Sequence, residues 1–380
     1  MSSVLLLAVN RHQETYFRKI AAAATSLNIR ILHDNRLPLI FGSWKISDYE
    51  RQVLEEIVQL RLDTLAQESP GYRLSYFRRK RLTLQYRLSV WWFYLRARSY
   101  FGQNCFDLVG LWSGMKWRQR IIRQLLLPAE TRTLFFENGA FPDTTTVDPE
   151  GVNFGSSIPD DPVFFLSHKP LKKKELPHRL SVRKASHSRK TEGNQLLPAE
   201  FCFVPFQVDS DTQILEYSPD IQNMEQLYKL LCDTADLSDG RLPVFVVKEH
   251  PSSKNDYRHL HNRHPGVVFC NQEETQRLIE TARCVVTINS SVGFEALLLN
   301  KPVITLGKSF YALDGLVTSV QSAADLVTAC QNPQPADPSL RDAFLQYLYS
   351  EYYVHGCWRT ASDEHTAAVV QRMERILKNA

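Results

Sequence analysis

The chain of 380 residues lacks the sequence features of several common protein classes. Its seven cysteines are scattered and form no CxxC pair, so they indicate neither a disulfide framework nor a zinc site. No apolar run approaches the roughly 18 residues of a membrane span. The N-terminal run Val4–Val9 is too short for a secretory signal and follows no basic segment, and no GxGxxG dinucleotide loop comes after it. We therefore expect a soluble protein of the reducing cytosol.

The features that are present are those of a globular α/β protein. The composition is 43% hydrophobic and 23% charged, and a net charge of +4 does not by itself favour nucleic acid as a partner. At about 100–200 residues per domain, this length predicts two domains. The chain opens with a predicted strand at Val4–Val9, a helix at Gln13–Leu27 and a strand at Ile29–Leu32. This order is typical of a Rossmann-like unit.

The order of apolar, helical and basic stretches predicts four segments. Residues 1–165 form a Rossmann-like unit that contains a basic helical insertion at about 46–100. Residues 166–198 are rich in Lys, Arg, Ser, His and Pro and form a basic linker. Residues 199–340 form a second α/β unit. Residues 341–380 are helical, and we expect them to cross back to the first unit.

The insertion at 46–100 mixes basic and aromatic residues, and two interpretations stay open. In the first interpretation, the segment forms a surface that binds anionic lipid or a charged glycan. In the second, it is a long helix pair with aromatic residues in the core and arginines on the solvated side. Nucleic-acid binding is a third interpretation, but no recognised motif accompanies it. The basic and aromatic residues are Arg73, Tyr76, Phe77, Arg78, Arg79, Lys80, Arg81, Tyr86, Arg87, Trp91, Trp92, Phe93, Tyr94, Arg96 and Arg98.

A carboxylate follows the apolar run Thr133–Phe136 and precedes a loop rich in turn formers and hydroxyl groups. In open α/β sheets ligands gather at the carboxyl ends of strands, so Glu137 is a candidate acid/base group. The alternative is a polar loop whose Asp and Thr side chains only cap turns.

Two loops in the second unit bring polar groups to one predicted sheet edge. Lys248 and His250 supply cationic donors after one strand. Ser290 and Ser291 stand at a helix start, where free N–H groups and the helix dipole favour an anion. We expect Glu295 in the first turn of that helix, where a carboxylate can hold ribose hydroxyls. The simpler interpretations are N-caps for the serines and a dipole-stabilising role for Glu295.

A third loop follows the predicted strand Glu200–Val208 and carries Asp209 and Asp211. Asp209-Ser210-Asp211 is formally a DxD sequence, which is the best argument for a metal. His250 is a second candidate ligand, but no HExxH or carboxylate spacing accompanies it. We therefore predict no metal site.

Four stretches together resemble the retaining β-Kdo transferases of bacterial lipopolysaccharide O-antigen and capsule assembly. They are ENGAFPDTTTVDPEGVN (137–153), QVDSDTQI (207–214), KEHP (248–251) and SSVGFEALLLNKPVITLG (290–307). The last two are shared more widely with CMP-sialic-acid transferases. The resemblance covers residues 104 to 315, and the rest of the chain matches only in general layout.

The resemblance implies a GT-B-like α/β fold with two Rossmann-like domains facing a central cleft. It also implies CMP-β-Kdo as donor and retention through a covalent intermediate on an Asp of the QVxxD stretch. Both Asp209 and Asp211 qualify, and Asp211 fits better because a short polar pair follows it. Glu137 matches the acceptor-side carboxylate, the general base. The donor-binding set is Gln207, Lys248, His250, Asn289, Ser290, Ser291 and Glu295.

The implied chemistry needs no cofactor beyond the donor. CMP leaves with one phosphate, whose charge a Lys, a His and a helix N-terminus can meet without a divalent ion. We expect CMP-Kdo and a glycan or lipid-linked glycan as partners, peripheral contact with the cytoplasmic face of the inner membrane, and no nucleic acid. The alternatives are an inverting CMP-sialic-acid transferase of GT-B type and a non-catalytic glycan-binding or assembly protein with a transferase fold.

Overall fold

The computed structural model describes residues 1–37, 45–69, 71, 73–169, 174–177, 180 and 197–378. Most of the predicted linker 166–198 lies outside the described residues. The described chain alternates strands and helices and contains two six-stranded sheets, which confirms the predicted GT-B-like α/β class.

The first sheet is built mainly by the N-terminal half, residues 1–169, in the strand order β12-β5-β4-β3-β1-β2. The pairs β1–β2, β1–β3 and β3–β4 are parallel, whereas β4–β5 and β5–β12 are antiparallel. Its elements are β1 (Ser2–Ala8), α1 (Arg11–Ala23), β2 (Leu27–His33), α2 (Asp48–Gln67), α3 (Tyr76–Gln103), β3 (Leu108–Trp112), α4 (Trp117–Ile121), a π turn (Ile122–Leu126), β4 (Arg132–Asn138), β5 (Thr144–Asp148), a 3-10 turn (Asn153–Gly155) and α5 (Pro162–Ser167).

The prediction that Glu137 lies just past the end of a strand is wrong, because Glu137 is the penultimate residue of β4. The stretch after it is not a simple loop. Residues Thr144–Asp148 form β5, in which Thr146 pairs with Glu137 across an antiparallel ladder. Three threonines and a valine favour this extended conformation because their branched side chains fit a pleated surface. The turn residues around Gly139 and Asp143 masked that strand in the sequence.

The insertion at 46–100 contains the two helices α2 and α3. Ser47 caps α2 in a capping box with Glu50, which satisfies free N–H groups at the helix start. Buried side chains of both helices, among them Leu54, Ile57 and Tyr94, pack over the first sheet. The predicted helix pair with an aromatic core is therefore present, although part of α3 is exposed and is described below.

The second sheet belongs to the C-terminal half, residues 197–378, and all its pairs are parallel in the order β11-β10-β9-β6-β7-β8. Apolar side chains cover both faces, as expected for parallel strands. Its elements are β6 (Phe201–Pro205), α6 (Thr212–Tyr217), α7 (Met224–Ser238), β7 (Val244–Lys248), a 3-10 turn (Arg258–Leu260), β8 (Val267–Phe269), α8 (Thr275–Thr281), β9 (Cys284–Thr287), α9 (Ser291–Leu298), β10 (Val303–Thr305), β11 (Thr318–Ser319), α10 (Ala323–Gln331) and α11 (Pro338–Tyr347).

The C-terminal tail joins the first sheet. After a π turn (Leu348–Tyr352), β12 (Val354–His355) pairs with β5, and a 3-10 turn (Trp358–Thr360) leads to α12 (Asp363–Lys378). His365 of α12 hydrogen-bonds Tyr16 of α1 at 2.8 Å, and both side chains are buried. The tail therefore ties the two halves together and adds a strand to the edge of the first sheet.

Candidate active site

Each half brings one carboxylate to the region between the two sheets. Glu137 projects from β4, and its Oε1 accepts hydrogen bonds from the backbone N–H and side-chain amide of Asn138 at 2.9 and 3.0 Å. Burial raises the pKa of Glu137, and the charge of Asp211 raises it further, while the Asn138 N–H and Lys116 lower it. Asp211 of the C-terminal half therefore lies within electrostatic range of Glu137.

Asp211 stands at the N-cap of α6 in the loop after β6. Its Oδ1 accepts a hydrogen bond from the Gln213 N–H at 3.0 Å, a cap that fixes the carboxylate at the helix start. Burial raises the pKa of Asp211, against the hydrogen bonds from Gln213 and Thr212.

Burial raises the pKa of both carboxylates, and they differ in the further influence of a neighbouring charge. The negative charge of Asp211 disfavours ionisation of Glu137, so Glu137 holds its proton to higher pH when Asp211 is ionised. Such a pair suits one group acting as a charged nucleophile and the other as an acid/base group.

Asp209 occupies a different environment from Asp211, although only one residue separates them. Its side chain is 1% exposed. Oδ1 accepts from the Met224 N–H at 2.6 Å, and Oδ2 accepts from the hydroxyl of Tyr257 and the amide of Asn255. Asp209 thus fastens the start of α7 to the loop after β7. The two aspartates of the DxD sequence bind different partners.

Gln207 and Asn289 connect the loops after β6 and β9, neighbouring strands at the centre of the second sheet. The Gln207 amide donates to Asn289 Oδ1 at 2.9 Å, and the Asn289 N–H donates to Gln207 Oε1 at 3.2 Å. The Asn289 amide also donates to the carbonyl of Gln213 in α6 at 2.9 Å. Both side chains are buried and hold the first turn of the Asp211 helix in place, which is a positioning role.

Ser290 is the N-cap of α9, with its Oγ accepting from the Val292 N–H at 3.2 Å. Ser291 begins the helix and Glu295 lies in its second turn rather than the first. A Cβ on Gly293 would lie 2.4 Å from the Tyr311 hydroxyl, so glycine is needed here for close packing of Tyr311.

Lys248 is the last residue of β7, and His250 follows it in the next loop. The Lys248 ammonium donates to the backbone oxygen of Glu273, and burial lowers the pKa of Lys248. The Ser252 N–H donates to His250 Nδ1 at 3.1 Å, so a neutral His250 ring carries its proton on Nε2. His250 is thereby oriented as a donor through Nε2.

Sequence reasoning missed Asp34, which follows the carboxyl end of β2. Asp34 is 1% exposed, and its Oδ1 has no hydrogen-bond partner among the described residues. Burial raises the pKa of Asp34, while Arg118, His33 and Lys116 lower it. The nearest Arg118 nitrogen is 3.8 Å from Oδ1. The rule that placed Glu137 at a strand end applies equally here, because the acidic residue comes directly after a strand.

Much of the stretch after Glu137 is structural. Phe141 is 2% exposed and packs against Phe294 and Tyr349 of the C-terminal half. Asp148 is fully buried and accepts hydrogen bonds from the N–H groups of Glu150, Gly151 and Ser157 and from the hydroxyls of Ser157 and Tyr352. These residues join the halves beside Glu137.

Further contacts fix the two halves relative to each other. Arg120 of α4 forms an ion pair with Glu216 of α6. Glu68, directly after α2, forms an ion pair with Lys254 at 2.7 Å and accepts a hydrogen bond from Ser210 at 2.9 Å. The segment that carries Asp211 is therefore braced from the N-terminal half on both of its sides.

Within the described ranges, one cluster of three potential metal ligands occurs, and it lies away from these carboxylates. Cys202, Cys284 and Cys330 bring their sulfur atoms within 4.8 Å of one another inside the second sheet. All three are fully buried in the apolar core, where cysteine commonly packs as a small apolar side chain.

Most of the C-terminal half matches one family of known proteins. Residues 172–358, about half of the chain, match the family described as "Capsule polysaccharide biosynthesis protein". The chain is 39% identical over 227 residues to Protein FixF of Sinorhizobium fredii, a match that covers 59% of this chain and 55% of FixF. These residues therefore carry the sequence pattern of capsule polysaccharide biosynthesis proteins, which confirms the predicted resemblance at that level.

A second curated relative is the capsule polysaccharide modification protein LipB of Neisseria meningitidis serogroup A. It is 24% identical over 169 residues, which cover 41% of this chain and 39% of LipB. The chain thus matches about half or less of the length of these curated relatives.

Among solved structures, the chain is similar to two described as Thermosulfurimonas dismutans KpsC. The one described as "beta Kdo 2,7 transferase" has 15% identity and a TM-score of 0.49, with 98% of this chain and 99% of that chain covered. The one described as "beta Kdo 2,4 transferase" has 18% identity and a TM-score of 0.42, with coverage of 70% and 87%.

Proposed function

We propose that this chain is a retaining glycosyltransferase that transfers Kdo from CMP-β-Kdo to a glycan acceptor. The single observation that carries the proposal is that Glu137 of β4 and Asp211 at the N-cap of α6, which belong to different halves of the chain, interact electrostatically. The donor is inferred from the four sequence stretches that resemble retaining β-Kdo transferases. The two carboxylates can perform the chemistry that this donor requires.

In the first step, a carboxylate oxygen of Asp211 attacks the anomeric carbon of Kdo. The bond between that carbon and the CMP oxygen breaks, and CMP leaves with the electron pair. A covalent Asp211–Kdo ester with inverted configuration results. The N-cap position supports this role because it holds the carboxylate by one oxygen in a fixed direction.

In the second step, the acceptor hydroxyl attacks the same carbon and passes its proton to Glu137. The ester bond breaks, Asp211 is released, and the second inversion restores the original configuration. A carboxylate with a raised pKa is a better base for this proton than an ordinary glutamate.

The donor nucleotide is placed at the carboxyl edge of the second sheet. The N-terminus of α9 at Ser290 and Ser291, the oriented His250 and the Lys248 ammonium can meet the single phosphate of CMP, and Glu295 can hold its ribose. This set explains why we propose catalysis without a metal ion. The positive charge of Lys116 lowers the pKa of both Glu137 and Asp34. We propose that Lys116 pairs with the carboxylate of Kdo.

The acceptor is proposed to be a lipid-linked glycan of capsule or O-antigen assembly at the cytoplasmic face of the inner membrane. The family match of the C-terminal half and the likeness to LipB, a capsule polysaccharide modification protein, support the capsule pathway. The chain matches only part of the length of its curated relatives. Its activity, its substrates and its partners are therefore all part of the proposal.

The test is a CMP-release assay with the full chain, offered CMP-Kdo or CMP-sialic acid in the presence of a chelator, followed by the intact mass of the enzyme. We expect turnover of CMP-Kdo alone and a Kdo-sized mass increase that maps to Asp211. Turnover of CMP-sialic acid without an adduct would instead indicate the inverting class. Absence of both turnover and CMP binding by calorimetry would indicate a non-catalytic role.

A further inference from the structure

The helix α3 has a charge composition that its role in the core does not explain. Its 28 residues contain seven basic residues and no Asp or Glu. Arg87 forms an ion pair with Glu55 and Arg79 hydrogen-bonds Gln59. Among the described residues, no ion-pair partner lies within reach of the remaining basic residues at the start of the helix. These are Arg78, Lys80 and Arg81.

The same end of α3 exposes large apolar side chains. Phe77 is 83% exposed, Leu84 61%, Leu88 64% and Trp92 49%. At about 100° per residue, these four side chains fall within a stripe of about 80°. The buried residues Val90, Phe93, Tyr94 and Ala97 lie on the opposite side of the helix. The helix is therefore apolar on two faces, and the described part of the chain covers only one of them.

Three basic side chains lie within or next to this apolar stripe. By the same helical geometry, Arg81 falls inside the stripe, Lys80 borders it on one side and Arg78 lies on the other side. We call the set formed by Phe77, Leu84, Leu88 and Trp92 with these three cations the basic apolar face. Exposed apolar surface on this scale, rimmed by charges of one sign, marks an interaction site.

We propose that the basic apolar face docks on an anionic lipid surface. Lipid headgroups supply the negative charge that the three cations lack, and the acyl boundary accepts Phe77, Leu84, Leu88 and Trp92 together. Nucleic acid supplies phosphates and stacking surfaces but no apolar phase for Leu84 and Leu88. Within the described residues, none of the helices is both long and apolar enough to cross a membrane. The proposal concerns contact with the membrane surface, and it does not depend on the proposed transferase activity.

The test is co-sedimentation of the full chain with vesicles of phosphatidylcholine containing 30% phosphatidylglycerol, compared with phosphatidylcholine alone. We expect binding only to the anionic vesicles, weakened at high salt because salt screens exposed charges. Combining Arg78→Gln, Lys80→Gln and Arg81→Gln should weaken partitioning by about 5-fold per charge, on the order of 100-fold together. Phe77→Ser should weaken it by about 10-fold.

Matched controls lie on α7 of the C-terminal half. Leu237 is 57% exposed and the Lys229 side chain is 77% exposed, so Leu237→Ser removes one exposed apolar side chain and Lys229→Gln removes one exposed positive charge in the other half of the chain. The controls should bind vesicles as the unchanged chain does, and circular dichroism should show every variant folded. The proposal is overturned if the unchanged chain does not bind anionic vesicles, if it binds neutral vesicles equally, or if the α3 variants bind as the controls do. Tighter binding to a labelled DNA duplex than to vesicles would also overturn it. Since vesicle binding needs no turnover, failure here is distinct from failure of the proposed transferase activity.

Discussion

The C-terminal half presents its candidate site residues in short sequence stretches after strands β6, β7 and β9, whereas the N-terminal half gathers its own from separate parts of the chain. Asp211, His250 and Ser290 each follow a strand of one parallel sheet. Glu137 lies inside a strand, and Lys116 and Asp34 approach its region from other segments. The difference predicts a division of labour, in which the C-terminal half binds the nucleotide and the N-terminal half acts on the acceptor. Changes in the two halves should therefore affect different steps.

The largest expected effect is that of Asp211→Asn. Asparagine caps a helix about as well as aspartate, so α6 should stay folded, while the nucleophile is lost. Turnover of CMP-Kdo should fall by about 10⁴-fold or more, with the Kd for CMP unchanged. Steady-state kinetics and calorimetry measure these two quantities.

Asp209→Asn is the matched control within the same loop. It disturbs the buried hydrogen bonds to Met224, Asn255 and Tyr257, so we expect the free energy of unfolding in urea to fall by about 2–4 kcal/mol. Folded protein should keep turnover within about 10-fold of the unchanged chain. If Asp209→Asn removes turnover and Asp211→Asn does not, the assignment of the nucleophile is reversed.

Glu137→Gln tests the N-terminal half and should lower turnover by about 10²–10⁴-fold with CMP binding unchanged. The base must be ionised when the acceptor attacks. For the unchanged chain, kcat/KM for the acceptor should therefore rise with pH through the raised pKa of Glu137. Lys116 lowers that pKa, so Lys116→Gln should move the midpoint of the rise to higher pH. If the midpoint of the pH profile is the same in Lys116→Gln, Lys116 does not interact electrostatically with Glu137.

Glu137 should also make stability depend on pH. A carboxyl whose pKa is raised in the folded state stabilises the protein at low pH, and this contribution is lost as pH rises through the folded-state pKa. Glu137→Gln should therefore unfold at higher urea than the unchanged chain at pH 8, with the difference vanishing near pH 4. Equal urea midpoints at both pH values would contradict the buried environment of Glu137.

The smallest expected effect is that of His250→Ala in the C-terminal half. Loss of the donor held toward the phosphate should weaken CMP binding by about 10-fold. Calorimetry with CMP measures this, and Glu137→Gln serves as the control that leaves CMP affinity intact. Unchanged affinity in His250→Ala would mean that the nucleotide site lies elsewhere and would break the proposed division between the halves.

The exposed end of α3 adds a contrast within the N-terminal half. Its basic and aromatic residues were evident in the sequence, but the sequence left open whether they face solvent or the core. Tyr94 and Phe93 are buried as in the core interpretation, whereas Phe77 and Trp92 are exposed. The buried face fits the helix-pair interpretation, whereas the exposed face carries the proposed lipid contact, because helical periodicity sends neighbouring residues in different directions.

The sequence by itself determined the alternation of strands and helices, the two α/β units and the polar loops after β6, β7 and β9. These features depend on local apolar periodicity and on turn and cap residues, which a short window of sequence contains. Only the tertiary structure gave Asp209 and Asp211 different hydrogen-bond partners. It alone buried Asp148 and Phe141 in contacts between the halves, placed Glu137 within β4 and revealed Asp34. Each of these outcomes depends on burial and hydrogen bonds to partners far away in the sequence, and the pKa of a carboxylate follows from that environment rather than from its neighbours in the chain.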